Sequence, residues 1–518
     1  MNYVGTARPI HDAKGKATGY TKYAGDLSLP NMAYLCMLHS KIPHGYVKAV
    51  HAEKALALPG VYGVYHCLNT SDRKYNRYRS SFNQAYLANE ERAFNQYVRF
   101  VGDKIGVVAA CDQETAERAA RLVEVEYEEL PFSIGFDDTL AGKNCLEGET
   151  PVRDEYTLEV GKKQESTEGL IEVCSTMELP RLHHATMETH ACIADYDPYS
   201  DMLTVYCPNQ AVHGIRTVLA DFLEMPESHV RVVKATMGGS FGAKQEWFLE
   251  PVTALVAKKL CRPVKLVYSR GEAMTDTIVR GAMRMSARGY YTPDGEMKEI
   301  YCDVTLDAGA YIGNAGDYVR ALAGKPTRCY RIPYMHYHGQ VISSNSPVSG
   351  AFRSWSAAEE ALMMERQLDA AAEKLGMDRL AIRLKNVARS GEEDKKLHLS
   401  LEDIRIGDAI TLGSEKFGWD KLKAEDAAFN ASQQRYRRGV GIGIGGHGNT
   451  YFPRFNDYGE GSISLNADGS MQANFTLHDH GCGTVTAMRM IAAEVLKVPE
   501  DKIYMTEGDT AVTPIDYG

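Results

Sequence analysis

Three glycine-rich segments, each followed by helix-like spacing, constrain this chain more than anything else in it. They are Met-Gly-Gly-Ser-Phe-Gly-Ala-Lys over 237–244, Gly-Ala-Phe-Arg-Ser-Trp-Ser over 350–356 and His-Gly-Cys-Gly-Thr over 480–484. A helix start offers unpaired N–H groups and the positive end of the helix dipole, which suits an anion. Glycine lets the backbone approach such a ligand without a Cβ in the way. Three such loops in one chain predict a large anionic cofactor held from several sides.

At 518 residues the chain exceeds what one core supports and divides into at least two domains. A hydrophobic content of 44% and a charged content of 24% are ordinary for a globular protein. The net charge of −10, without any basic run, argues against nucleic acid as a partner. No apolar run approaches the ~20 residues of a membrane span. The start Met1-Asn2-Tyr3-Val4-Gly5 has no basic segment leading into an apolar one, so a cytoplasmic location is expected. The eleven cysteines form no C-x-x-C pair and no close cluster, so an iron–sulfur or zinc site made by this chain alone is not expected. Any redox chemistry then needs electrons carried by another chain.

The pattern predicts an α/β (α+β) fold in three stretches. Residues 1–135 read as a compact unit, with a buried strand Lys104–Ala110, a helix Gln113–Leu122 and a half-exposed strand Val123–Tyr127. Residues 136–170 read as a loop-rich, charged linker. Residues 171–518 form the second region. There a strand His229–Val233 feeds the first glycine loop, and a helix Trp247–Leu260 follows it. Ser356-Ala357-Ala358-Glu359 reads as a capping box opening a helix to Leu375, with Gly376 as its stop. Thr486–Leu496 reads as a third helix. Residues 387–435 read as irregular surface connection, and the ending Thr513–Gly518 as a turn where the chain looks cut.

The first loop is neither a P-loop, since Ala243 precedes Lys244 and Gln245 follows, nor G-x-G-x-x-G. As a combination, however, the motifs resemble those of the molybdenum-binding subunit of the xanthine dehydrogenase and aldehyde oxidase family. Ala17–Asp26, Leu58-Pro59-Gly60-Val61 and Val125–Pro131 look like its small a/b hammerhead domain. His183–Glu188, Asn209-Gln210 and the three glycine loops look like the first half of its molybdopterin-binding region. The resemblance covers nearly the whole chain.

Residue by residue, the resemblance implies that Gln210 hydrogen-bonds an oxo ligand of molybdenum. Gly239, Phe241 and Gly242 bring backbone to the cofactor, and Arg353 lies beside it with an always-charged fork of donors. Trp355 stacks on a flat substrate, and Arg320 steadies negative charge developing on a substrate ring. Gln245 stands where purine-oxidising members carry a substrate-binding glutamate, which favours another aromatic heterocycle or an aldehyde over xanthine. Cys482 replaces the glutamine of a Gly-Gln-Gly centre, leaving that cofactor contact open. His183 and His184 lack a ligand-like partner spacing and read as structural, so no side chain here is expected to bind the metal directly.

The family continues past the position matching Gly518, and its general-base glutamate has no counterpart here. A second molybdopterin subunit supplying the missing half, or an interrupted gene, is expected. The implied activity is hydroxylation at a carbon next to nitrogen or oxygen. Water is the oxygen source, hydride passes to the molybdenum centre, and electrons leave through partner subunits carrying [2Fe-2S] clusters and FAD. The cofactor is molybdenum-molybdopterin, with or without the cytosine dinucleotide. The alternatives are an inactive truncated fragment or scaffold without molybdenum and, among enzymes, a 4-hydroxybenzoyl-CoA reductase-like activity.

Overall fold

The computed structural model describes residues 3–77, 89–146, 148–432, 435–447, 459–475, 477 and 479–515. Its largest sheet has seven strands, in the order Val230–Lys234, Met202–Cys207, Ala191–Asp197, Val264–Val267, Ala33–His39, Lys104–Ala110 and Val61–His66. The central strands are apolar runs with both faces covered; Lys104–Ala110 is buried at every position. Ala33–Leu35 pairs in parallel with Val264–Leu266, so strands from the N-terminal unit and the second region share one sheet. Helices Val212–Leu223 and Glu250–Leu260 complete its core through Ile215, Leu219, Val252 and Val256.

A second sheet of five strands runs Ile171–Leu179, Ala282–Tyr291, Met297–Asp307, Tyr334–Ile342 and Val152–Gly161. Helix Ala357–Leu375 lays Met363, Met364, Leu368, Ala371 and Ala372 into its core. A third unit near the C-terminus pairs Gly461–Leu465, Met471–Phe475 and Ile503–Glu507, with helix Thr484–Leu496 on one side. The first described residues dock there: the N–H groups of Tyr3 and Val4 donate to Glu494 Oε2 at 2.7 and 2.8 Å.

Several local expectations change. The stretch 136–170, read as loop-rich, holds helix Phe136–Leu140 and the edge strand Val152–Gly161. That strand alternates exposed and half-buried residues, and pairing with Tyr334–Ile342, not its own hydrophobicity, makes it a strand. Residues 387–435, read as irregular, contain helices Ile406–Phe417 and Trp419–Ser432, hinged at Gly418 in the left-handed region. They bury only Ile410 and Trp419, so good helix formers carry them with little apolar pattern to betray them.

The helix after the first glycine loop begins at Glu250 and not at Trp247, and Ala357–Leu375 ends at Gly376 as read. Its capping box does not form. Ser356 makes no cap bond, and Glu359 instead accepts from Tyr318 and pairs with Arg280. Among the described residues, no helix is long and apolar enough to cross a membrane.

Candidate functional site

Strand Val230–Lys234 delivers the chain to the first glycine loop, which is fixed from beneath by buried polar groups. Gly238 N–H donates to Glu188 Oε2 at 2.7 Å, and Lys244 forms a buried ion pair with the same carboxylate. Burial pulls the Lys244 ammonium below its usual value, against the pull of Glu188. His190 donates from Nε2 to Ala243 O at 2.9 Å; burial lowers its pKa to about 3, so it is a neutral donor.

The turn carrying Gln210 is pinned to the same loop. Gln210 N–H donates to Lys244 O at 2.9 Å, and its Oε1 accepts from Ser240 Oγ. Asn209 spans the join, donating to Glu246 O at 2.8 Å and accepting from Ala211 N–H at 2.9 Å. At the loop apex Phe241 has φ 55 and its ring is 49% exposed. A large aromatic held open in the left-handed region is the kind of strain that functional loops retain.

The second loop abuts the first. A Cβ on Gly242, which has φ 103, would lie 2.5 Å from Ala351 O. Beyond that contact Ser354, Trp355 and Ser356 are all left-handed, with φ of 83, 36 and 63. Three consecutive non-glycine residues in that region need firm support. His184 donates from Nε2 to Ala351 O at 2.8 Å and stacks on Phe352 at 4.2 Å between ring centres. Arg280 lies over the Phe352 ring and donates to Arg353 O at 2.8 Å. Lys325 donates to Trp355 O, and the indole tilts against Tyr318 at 5.2 Å. With its backbone so fixed, the Arg353 side chain is exposed, and among the described residues its guanidinium makes no hydrogen bond or ion pair.

The structure therefore brings Gly239, Phe241, Gly242, Gln245, Arg353 and Trp355 together in and beside two abutting loops, with Gln210 on a turn pinned to the first. Arg320 is engaged elsewhere: its guanidinium grips both oxygens of Asp154 and the oxygen of Gly316, against the Tyr156 ring. The third loop also differs from the expected open anion site. Asp479 already accepts from Gly481, Gly483 and Val485 N–H at 2.8, 3.2 and 3.3 Å. Burial opposes its ionisation, yet these N–H groups hold its carboxyl below the usual range. Cys482 is exposed, with Sγ 3.0 Å from Thr484 Oγ1. This loop belongs to a unit that docks beside the strand feeding the first loop, where Arg231 holds Asp509 and Lys234 N–H donates to Gly508 O.

Nothing in the sequence marks His190 or Lys325, and Glu188 lies in a family motif and Glu246 beside Gln245 without a role for either, because each supports a backbone group that only the folded chain brings near. Among the described residues no three His, Cys, Asp or Glu side chains cluster as metal ligands; His183 bonds Thr277, and His184 the second loop.

A strained, open aromatic, a side-chain-free contact between two loops and an exposed guanidinium without a counter-ion among the described residues lie together here, and the chemistry of that donor set suits a bulky anionic cofactor. Comparison with known proteins gives the class directly. Residues 18–131 match the aldehyde oxidase and xanthine dehydrogenase a/b hammerhead domain, and residues 149–387 and 412–518 match molybdopterin cofactor-binding domains. The chain belongs to the xanthine dehydrogenase and aldehyde oxidase family of molybdenum-binding subunits. It is 31% identical to a probable xanthine dehydrogenase subunit of Bacillus subtilis, over 99% of this chain and 67% of the relative. It is 29% identical to the xanthine dehydrogenase molybdenum-binding subunit of Escherichia coli O157:H7, over 98% of this chain and 68% of the relative. Quinoline 2-oxidoreductase from Pseudomonas putida 86 shares the fold, with a TM-score of 0.90 at 23% identity, over 98% of this chain and 67% of the other. The chain thus spans about two thirds of the length of these relatives.

Proposed function

We propose that this chain holds molybdenum-molybdopterin in an oxidoreductase that hydroxylates an aromatic N-heterocycle or an aldehyde, with water as the oxygen source. The observation that carries this reading is Arg353, exposed and without a side-chain partner among the described residues, two residues from the contact of Gly242 with Ala351. When bound, the cofactor supplies two-electron redox chemistry that no side chain here can perform.

The chain's own groups orient and stabilise. Gln210 has its Oε1 committed to Ser240, which leaves the amide nitrogen to donate to an oxygen ligand of the metal. Arg353 offers a fork of N–H donors to an anionic group. The Gly239–Gly242 backbone approaches the pterin, with Phe241 closing one side. Trp355 presents a flat face to an aromatic substrate, and Gln245 an uncharged amide. Arg320 takes no part in this assignment, because Asp154 already holds it.

Electrons leave through partner subunits with [2Fe-2S] clusters and FAD, and a second molybdopterin-type polypeptide completes the pocket. Exposed Ile463 and Leu465 on an edge strand, and exposed Ile491 and Val495 on the helix, support such a partner at the C-terminal unit. The test is molybdenum per chain, by elemental analysis of the tagged protein from a host that makes the cofactor. About one metal per chain is expected. Essentially none, with wild-type partners co-expressed, would refute the reading.

A further inference from the structure

A buried carboxyl unused by the chemistry above lies where the two loops meet helix Ala315–Leu322. Glu246 is 1% exposed. Its Oε1 accepts from Asn314 Nδ2 at 2.9 Å and from Ala351 N–H at 3.4 Å. Gly350 crosses the same oxygen so closely that a Cβ there would strike it. The backbone oxygen of Glu246 receives Asn209, the neighbour of Gln210. One residue therefore touches the Gln210 turn, the stem of the Arg353 loop and the residue that opens the helix.

The other polar atoms of this group are left unmatched when the carboxyl is ionised. Among the described residues, Glu246 Oε2 and Asn314 Oδ1 are both buried acceptors without a donor. A buried acceptor left unpaired is costly, and two in one pocket are rarer still. A single proton satisfies both. We propose that Glu246 is carried as a neutral carboxylic acid, receiving Asn314 Nδ2–H on Oε1 and donating Oε2–H to Asn314 Oδ1. This two-bond acid–amide pair makes it the positioning residue of the Arg353 loop.

The charged groups facing Glu246 allow this. Arg77 comes from the N-terminal unit, with Nε and Nη2 spent on the buried carboxylate of Glu91. Its Nη1 is buried and has no partner among the described residues, so an ion pair with an ionised Glu246 is the competing arrangement. Glu91 neutralises Arg77 and, as a nearby negative charge, disfavours a second one. Burial pushes the Glu246 carboxyl up to about 8, against the pull of Arg77. The acid form then persists through neutral pH.

The protonation stands independently of any cofactor; only the benefit to Arg353 rests on the molybdopterin reading. Glutamine reproduces the donor and acceptor of the neutral acid, whereas alanine removes both. The experiment compares the full chain with Glu246→Gln and Glu246→Ala. It reads hydrogen exchange in peptides spanning 346–358 and the infrared band of a protonated carboxyl. Exchange in Glu246→Gln is expected within about twofold of wild type, and in Glu246→Ala about tenfold faster. Because burial also pushes the Glu360 carboxyl up to about 8, the readout is the difference between wild type and Glu246→Gln: an acid component present at neutral pH in wild type, missing from the glutamine variant and titrating away around pH 8.

No acid component lost at neutral pH on going from wild type to Glu246→Gln, or loosening by glutamine equal to that by alanine, would overturn the proposal in favour of the Arg77 ion pair. If the alanine variant fails to fold, the band and the glutamine variant still decide. Molybdenum is measured on the same samples. A metal-free chain that keeps the acid band would refute the cofactor reading and leave this one standing.

Discussion

Gly242→Ala tests the contact on which the site depends. The new Cβ would meet Ala351 O at 2.5 Å, Ala351 C at 2.7 Å and Phe352 Cα at 3.0 Å, all backbone atoms that no rotamer change can move aside. Ala351 cannot give way cheaply, since His184 holds its oxygen and Glu246 its nitrogen. The φ of 103 adds strain of about 1–3 kcal/mol for any residue with a Cβ. Together these predict destabilisation of about 3 kcal/mol or more. Two other glycines calibrate it. Gly376→Ala meets nothing within 4 Å at φ 64 and should lose only about 1 kcal/mol. Gly413→Ala, in open space on a helix, should gain roughly 0.5–1 kcal/mol. Urea unfolding of the three variants measures the series. A Gly242→Ala midpoint no lower than that of Gly376→Ala would show that the loops do not touch as described.

The remaining predictions separate roles that sequence alone merges. Arg353→Ala should leave thermal stability within about 0.5 kcal/mol while lowering molybdenum per chain, because its guanidinium supports no described part of the fold. Arg320→Ala should do the reverse, losing about 1–3 kcal/mol with the Asp154 pair; a fall in metal content without loss of stability would return it to the site. Asp479→Ala should cost about 1–2 kcal/mol, since three N–H groups lose their acceptor. Because the folded carboxyl lies below the usual range, that contribution is present above about pH 4 and fades as pH falls. His184 and His190, held at about 4 and about 3, take up protons more readily unfolded, so stability should drop as pH falls below about 6.5. Melts of wild type and of a His184→Gln/His190→Gln pair check this, the double variant showing the shallower acid loss.

What was legible in the sequence was what local pattern encodes. Lys104–Ala110 announces a strand buried on both faces, and Ala357–Leu375 shows its stripe and its glycine stop. The glycines at 239 and 242 mark a turn that needs φ of 98 and 103. What was not legible depends on distant partners. Val152–Gly161 carries no hydrophobic run and is a strand because Tyr334–Ile342 offers it a ladder. Ser356 and Glu359 have the spacing of a capping box, but Arg280 and Tyr318 compete for the glutamate and win. Arg320 sits in a matching motif, yet Asp154, 166 residues earlier in the chain, claims its guanidinium.

That competition also accounts for how the two loops can hold an unpaired cation. The buried basic groups around them are neutralised or occupied one by one: Lys244 by Glu188, Arg280 by Glu359, Arg77 by Glu91. His184 and His190 bond to loop carbonyls as neutral rings, so they add no charge to the anchoring. Strain at Phe241 and at Ser354, Trp355 and Ser356 is thus opposed by short-range hydrogen bonds, two of them from the cations Arg280 and Lys325, each occupied by a loop carbonyl. Arg353 is left as a positive charge in these loops without a protein counter-ion among the described residues. If the proposed cofactor binds here, its anionic group would supply the missing counter-charge, and binding would stabilise the folded arrangement of both loops.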